Sequence, residues 1–163
     1  MRKKTLIAVV IVSLFGLGLQ SCREKPRETV VYSVDKYDPS RNPSADLETT
    51  VKQAKQSGKR ILLEVGGNWC SWCRALEDFI HTTPPVAAAL RNSYVIMKVN
   101  MSDENRNRQF LERFPKIKGY PHIFVLDADG NLLHSQDTGP LEEAKSYNEK
   151  RFLDFLNQWT PKS

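Results

Sequence analysis

Apolar and polar positions divide the chain into short periodic segments. Residues 6–19 form an apolar stretch of 14, interrupted only by Ser13, Gly16 and Gly18. After a charged interval comes a β-prone patch, Val30-Val31-Tyr32-Ser33-Val34. Leu47, Val51 and Ala54 recur at helical spacing between Pro43, a favoured first helical residue, and Gly58, a favoured stop. The continuous run Ile61-Leu62-Leu63-Glu64-Val65-Gly66 predicts a buried strand, and Leu76, Phe79 and Ile80 then return to the helical period. Thr83-Pro84-Pro85 breaks that helix, and residues 86–90 begin another turn or two. Residues 94–99 predict a second buried strand, and residues 103–114 a polar helix with Phe110, Leu111 and Phe114 inward. Residues 121–126 predict a third strand, which Asp127-Ala128-Asp129-Gly130 turns into a short fourth over residues 131–134. A loop is expected over 135–147. A last helix follows, with Phe152, Phe155, Leu156 and Trp159 on one face. No internal repeat or low-complexity run interrupts this order.

The first segment is short for a membrane span, which needs about 20 apolar residues, and suits a secretory signal behind the basic residues Arg2, Lys3 and Lys4. Leu19-Gln20-Ser21-Cys22 resembles the lipobox of bacterial lipoproteins, with Gln20 where a small residue is more usual. That resemblance implies a signal peptide over 1–21 and an acylated N-terminus at Cys22. The plain alternative is an ordinary secretory signal with a free thiol at Cys22. Arg23 stands where an Asp would retain such a protein at the inner membrane, which tilts the expectation to the outer membrane. Residues 22–43 are expected to form a tether that contributes an edge strand. As free coil, the 21 residues after Cys22 would span roughly 25 Å. A domain is expected over 44–163.

Charge then excludes one class of partner. Removing Arg2, Lys3 and Lys4 from the formal +5 leaves +2, too dispersed for a nucleic-acid surface. With Cys22 set aside, Cys70 and Cys73 remain as an isolated pair rather than a disulfide framework. They stand at i and i+3 where a strand turns into a helix. There the unpaired N–H groups of the first turn stabilise a thiolate on Cys70. Cys73, one turn on, can attack a mixed disulfide formed on Cys70, so the pair can cycle between dithiol and disulfide.

The order helix, strand, CxxC helix, strand, helix, strand, hairpin, helix resembles the thioredoxin superfamily over about residues 44–160. Trp69-Cys70-Ser71-Trp72-Cys73 is similar to its WCxxC site. Gly119-Tyr120-Pro121 is similar to its cis-proline loop, and Glu64 falls where many members bury an acid under the site. Envelope thioredoxin-like proteins, often lipoproteins, carry phrases similar to residues 58–73. The resemblance implies an α/β fold of three layers, a central mixed sheet with helices on both faces. It implies a thiol-disulfide oxidoreductase in which Cys70 attacks, Cys73 resolves and Glu64 handles the proton. Tyr120 and Pro121 would then face the substrate, with Trp69 shielding Cys70 and Trp72 contacting a partner or covering the helix start.

Each role has a bland counterpart. Pro121 as a trans residue would merely start an edge strand. Glu64 at a strand end would pair with Lys59, Arg60 or Lys98, and Trp69 would be a packing aromatic. No cofactor is expected. His81, His122 and His134 are too scattered to complete a zinc site with the cysteines. Ser71-Trp72 matches neither the Gly-Pro of reducing members nor the Pro-His of strong oxidants. The chain also lacks the oxidants' large helical insertion, which favours reduction of protein or small-molecule disulfides, with an unidentified redox partner. The expected location is the cell envelope, facing the periplasm and anchored through lipid on Cys22. The competing classes are a Cu(I)-binding lipoprotein, since soft thiolates select that ion, and a structural one whose CxxC is a fixed disulfide.

Overall fold

The computed structural model describes residues 29–162; the expectations for residues 1–21, for Cys22 and for the first residues of the tether lie outside them. Five strands form one sheet in the order β1-β3-β2-β4-β5. They are β1 (Tyr32–Val34), β2 (Arg60–Gly66), β3 (Tyr94–Asn100), β4 (His122–Leu126) and β5 (Leu132–Asp137). β1 and β2 flank β3 in parallel; β4 runs antiparallel to β2, and β5 to β4. The helices are α1 (Pro43–Ser57), α2 (Ser71–Thr82), α3 (Pro84–Ser93), α4 (Arg108–Leu111) and α5 (Glu149–Gln158).

The buried strands have no polar face, because helices cover both sides. Ile61, Leu63, Val65, Val95, Met97, Val99, Phe124 and Leu126 pack with Leu47 and Ala54 of α1 and Phe110 of α4. Leu62, Ile96, Ile123 and Val125 pack with Leu76, Phe79 and Ile80 of α2, Val86 and Leu90 of α3, and Phe152, Phe155 and Leu156 of α5. Glu64 and Lys98, paired in register across β2 and β3, are the charged residues set into this second face. The ends of α1 follow their residues: the Asn42 side chain accepts from the Ser44 and Ala45 N–H groups, and Gly58 closes the helix at φ +66°. The expected fold class, a mixed sheet between two helical layers, is the one observed.

Four local expectations are corrected. Residues 103–114 do not form one helix. Asn107 takes φ +45°, and only the four residues of α4 are helical. Short amide side chains win over the helix there: Asn107 Nδ2 donates to the Asn100 carbonyl (2.7 Å), Asn100 Nδ2 to the Asn105 carbonyl (2.9 Å), and Asn105 Oδ1 accepts the Asn107 N–H. β5 continues to Asp137 because β4 offers a full row of partners, and residues 139–147 hold a 3-10 turn and a small hairpin, β6 (Glu142–Glu143) with β7 (Ser146–Tyr147). Trp159 lies past the end of α5, stacked on His134 at 4.6 Å. Lastly, the packed domain starts before residue 44. β1 is the edge strand expected of the tether, Ser33 Oγ and Thr50 Oγ1 are 2.7 Å apart, and Tyr37 is buried. The second half of the tether is therefore not free coil.

Candidate active site

β2 ends at Gly66, and residues 67–69 make the turn into α2. Cys70 is the N-cap of that helix: its Sγ accepts the Cys73 N–H at 3.1 Å, and its own N–H donates to the Gly67 carbonyl. Cys70 and Cys73 are joined as a disulfide with Cα atoms 5.2 Å apart, and both are nearly inaccessible. The first turn of α2 holds no acidic residue, so nothing there offsets the dipole's preference for an anion on Cys70.

The sequence-predicted aromatics divide between two sides. Trp69 is 57% exposed; its indole N–H donates to the Met101 carbonyl (2.7 Å), and its ring meets Tyr120 edge-on at 5.6 Å. Trp72 is half-buried against Tyr147, whose hydroxyl donates to the Trp72 carbonyl, pinning the first turn of α2. The Tyr120–Pro121 peptide bond is cis. Tyr120 packs with Trp72 against the cluster of Tyr37, Cys70 and Cys73. Pro121 is buried, and its carbonyl accepts from Thr138 Oγ1 at 2.8 Å.

Glu64 is the fifth of the seven residues of β2 rather than an end residue, and is 1% exposed. The Tyr37 hydroxyl donates to its Oε1, while its Oε2 has no hydrogen-bond partner among the described residues. Burial pushes its carboxyl up to about 7; the Lys98 charge and the Tyr37 hydrogen bond oppose this, and the Glu77 charge adds to it. Near neutrality Glu64 can therefore take up or release a proton. Lys98, a bland partner in the sequence reading, turns instead to Glu77 Oε2 at 2.5 Å, with its ammonium over the rings of Tyr32 (5.2 Å) and Tyr37 (5.5 Å). For Glu77, burial raises the carboxyl but is outweighed by hydrogen bonds from Lys98 and His81, leaving it below its ordinary value.

Tyr37, Glu77 and Tyr32 were not found from the sequence. The β-prone patch at residues 30–34 marks an edge strand, but it is the parallel pairing with β3, seen in the structure, that delivers the next residues to the edge where α2 begins. Beside Cys73 lies a cavity of about 640 Å³, lined in part by Tyr37, Asn68, Cys73, Arg74, Glu77 and Lys98. The three histidines are apart: His81 bonds Glu77, His122 bonds Ser135, and His134 stacks on Trp159. Among the described residues no group of three or more His, Cys, Asp or Glu is arranged to hold a metal ion.

Comparison with known proteins agrees with this geometry. A family profile described as thioredoxin-like matches residues 42–128. The chain is 30% identical over 106 residues to the thiol:disulfide interchange protein DsbD of Colwellia psychrerythraea, covering 64% of this chain and 17% of that protein. It is 29% identical over 112 residues to the protein of that name in Actinobacillus pleuropneumoniae, covering 68% of this chain and 18% of the relative. The chain thus spans under a fifth of the length of these relatives. Among solved structures, a disulphide isomerase from Xylella fastidiosa Temecula1 superposes with a TM-score of 0.64 at 23% identity, over 75% of this chain and 94% of the other. The oxidised C-terminal domain of Neisseria meningitidis DsbD superposes with a TM-score of 0.56 at 17% identity, over 77% and 99%.

Proposed function

The chain belongs to the thioredoxin-like family, and on that premise we propose that it is a thiol-disulfide oxidoreductase of the bacterial envelope, held at a membrane by lipid on Cys22 and working as a reductant of protein disulfides. The observation that carries the reading is a cysteine pair at a helix N-terminus, flanked by a cis-proline loop and set beside a buried carboxyl that ionises near neutrality. Relatives named for thiol:disulfide interchange support the chemistry.

In the reducing direction, the Cys70 thiolate attacks one sulfur of a substrate disulfide. The other substrate sulfur leaves as a thiolate and takes a proton from solvent. Cys73 then gives its proton toward Glu64 and attacks Cys70 Sγ. The Cys70–Cys73 bond forms, the second substrate thiol departs, and two electrons have passed to the substrate. A dithiol partner restores the reduced pair by the reverse exchange. Tyr120, Pro121 and Trp69 form the substrate side: proline donates no N–H, so the backbone beside it stays open to an extended segment. The membrane reading rests on the apolar residues 6–19 and on Leu19-Gln20-Ser21-Cys22. No helix among the described residues is long and apolar enough to cross a membrane.

The test is a redox titration of the Cys70–Cys73 pair in glutathione buffer, alongside reduction of a protein disulfide. We expect a potential toward the reducing end of the scale, which runs from about −270 mV for thioredoxin to about −120 mV for strong oxidants, and loss of turnover in Cys70→Ser. A value at the oxidising end would reverse the direction, and turnover without Cys70 would end the reading. For the anchor, intact mass of the membrane fraction should show an acylated chain beginning at Cys22, and Cys22→Ala should release the domain or leave it unprocessed. Full processing and normal retention of that variant would exclude it.

A further inference from the structure

Resting on that reading, we infer that Tyr37 is the proton carrier between Cys73 and Glu64, a part of the redox centre contributed by the segment upstream of the first helix. Its hydroxyl is bonded to Glu64 Oε1 on one side. On the other side its ring packs against Cys70 and Cys73 in a common buried cluster. A Cβ added to Gly66 would stand 2.9 Å from the Tyr37 oxygen and 2.5 Å from Cys73 Sγ, so both atoms reach the same point above β2. Only a residue without a side chain leaves that point open to them.

The phenol is held in place by more than this one hydrogen bond. The Tyr37 carbonyl accepts from Asn68 Nδ2 at 3.2 Å, in the turn that leads to Cys70. The Pro39 carbonyl accepts from Asn105 Nδ2 at 2.8 Å, in the loop after β3. The Lys98 ammonium lies over the ring, and the side chain is 7% exposed.

Burial and the neighbouring carboxylate keep the phenol neutral. Burial, then the Glu64 charge and the hydrogen bond to it, push the Tyr37 hydroxyl well above its ordinary range. It can therefore pass a proton but not give one up. The other groups that face this pair are Lys98 from β3, Glu77 from α2, Tyr32 from β1 and Tyr147 from β7. Lys98 is taken up by Glu77 at 2.5 Å and Tyr32 faces Glu77, which leaves Tyr37 as the group bonded to Glu64.

In the mixed disulfide, the Cys73 S–H proton moves to the Tyr37 oxygen while the Tyr37 O–H proton moves to Glu64 Oε1. The result is a Cys73 thiolate, an unchanged tyrosine and a neutral Glu64. The thiolate attacks Cys70 Sγ, the Cys70–substrate bond breaks, and the substrate sulfur leaves with its electron pair. Glu64 then returns its proton to solvent or, in the reverse reaction, to Cys73 by the same route.

The experiment uses the reduced protein and an aromatic disulfide, bis(3-carboxy-4-nitrophenyl) disulfide, whose released thiol absorbs visible light. The first equivalent released reports attack by Cys70, and the second reports resolution by Cys73. Tyr37→Phe should leave the first phase within about twofold and slow the second about tenfold or more at pH 7, within the range of general-base effects. Its pH midpoint should move up by roughly one unit, because the Glu64 carboxylate loses a donor. Glu64→Gln should slow the second phase at least as much, and the double variant should be no slower than Glu64→Gln alone. 3-Fluorotyrosine at position 37, which keeps a hydroxyl, should restore the second phase. A Phe variant that matches a competent parent from pH 5 to 9, or a double variant with multiplied defects, overturns the relay alone. A parent that releases no second equivalent overturns the exchange reading and the relay with it.

Discussion

Glu64 concentrates the cost of the site in one side chain. Its carboxyl is pushed up to about 7 from an ordinary 4.5, so between those values the folded chain holds a proton that the unfolded chain has lost. The stability this contributes is complete below pH 4.5 and is lost as pH rises through 7. Above that, the fold carries a buried charge, and the gap corresponds to about 3 kcal/mol. Glu64→Gln should therefore make the oxidised protein more stable than the parent by about 2–3 kcal/mol at pH 8, with little difference at pH 4. Urea titration at the two pH values decides this, and an equal difference at both would mean the carboxyl is not titrating in the interior. The residue was visible in the sequence because an acid in an apolar strand is costly unless used. Tyr37 was not, because a tyrosine in a charged, proline-containing segment has no periodicity to mark it as buried.

At the scale of the element, the turn between β2 and α2 is legible and the connection after β3 is not. Apolar runs bounded by Pro and Gly locate α1, β2, α2 and β4. Residues 103–114 carry inward aromatics at helical spacing, but the amides of Asn100, Asn105 and Asn107 satisfy local backbone groups instead, an outcome that spacing alone does not encode. Gly66 shows the same kind of hidden constraint. It reads as the end of a strand, yet its bareness admits both Cys73 Sγ and the Tyr37 hydroxyl. Gly66→Ala should cost about 1–3 kcal/mol through overpacking and should slow disulfide exchange as well. Unchanged urea midpoint and unchanged exchange rate in that variant would show that the two side chains do not converge there.

At the scale of the molecule, the site sits where three parallel strands all end. β1, β2 and β3 point the same way, so the chain leaving β1 enters the edge at which β2 turns into α2 and β3 into its asparagine loop. Ligand sites of open α/β sheets collect at such edges. The helical layers and the order of β2, β3 and β4 follow from the sequence pattern together with the family resemblance. The parallel sense of β1 does not, because three residues of edge strand carry no mark of direction. That sense decides whether residues 35–39 reach the sulfurs or end at the far side of the sheet.

This placement has a mechanical consequence. Tension drawn through the chain upstream of residue 29 is borne first by a strand of three residues, fastened to β3 and by Ser33 to Thr50. Next in the line of load comes Tyr37, clipped to the turn before Cys70, and then Pro39, clipped to the loop after β3. The four inner and outer strands beyond lie off that line. A pull there would thus peel away one wall of the redox centre while the rest of the sheet stands, so that the proposed lipid anchor would act as a clutch on the chemistry as well as a mooring.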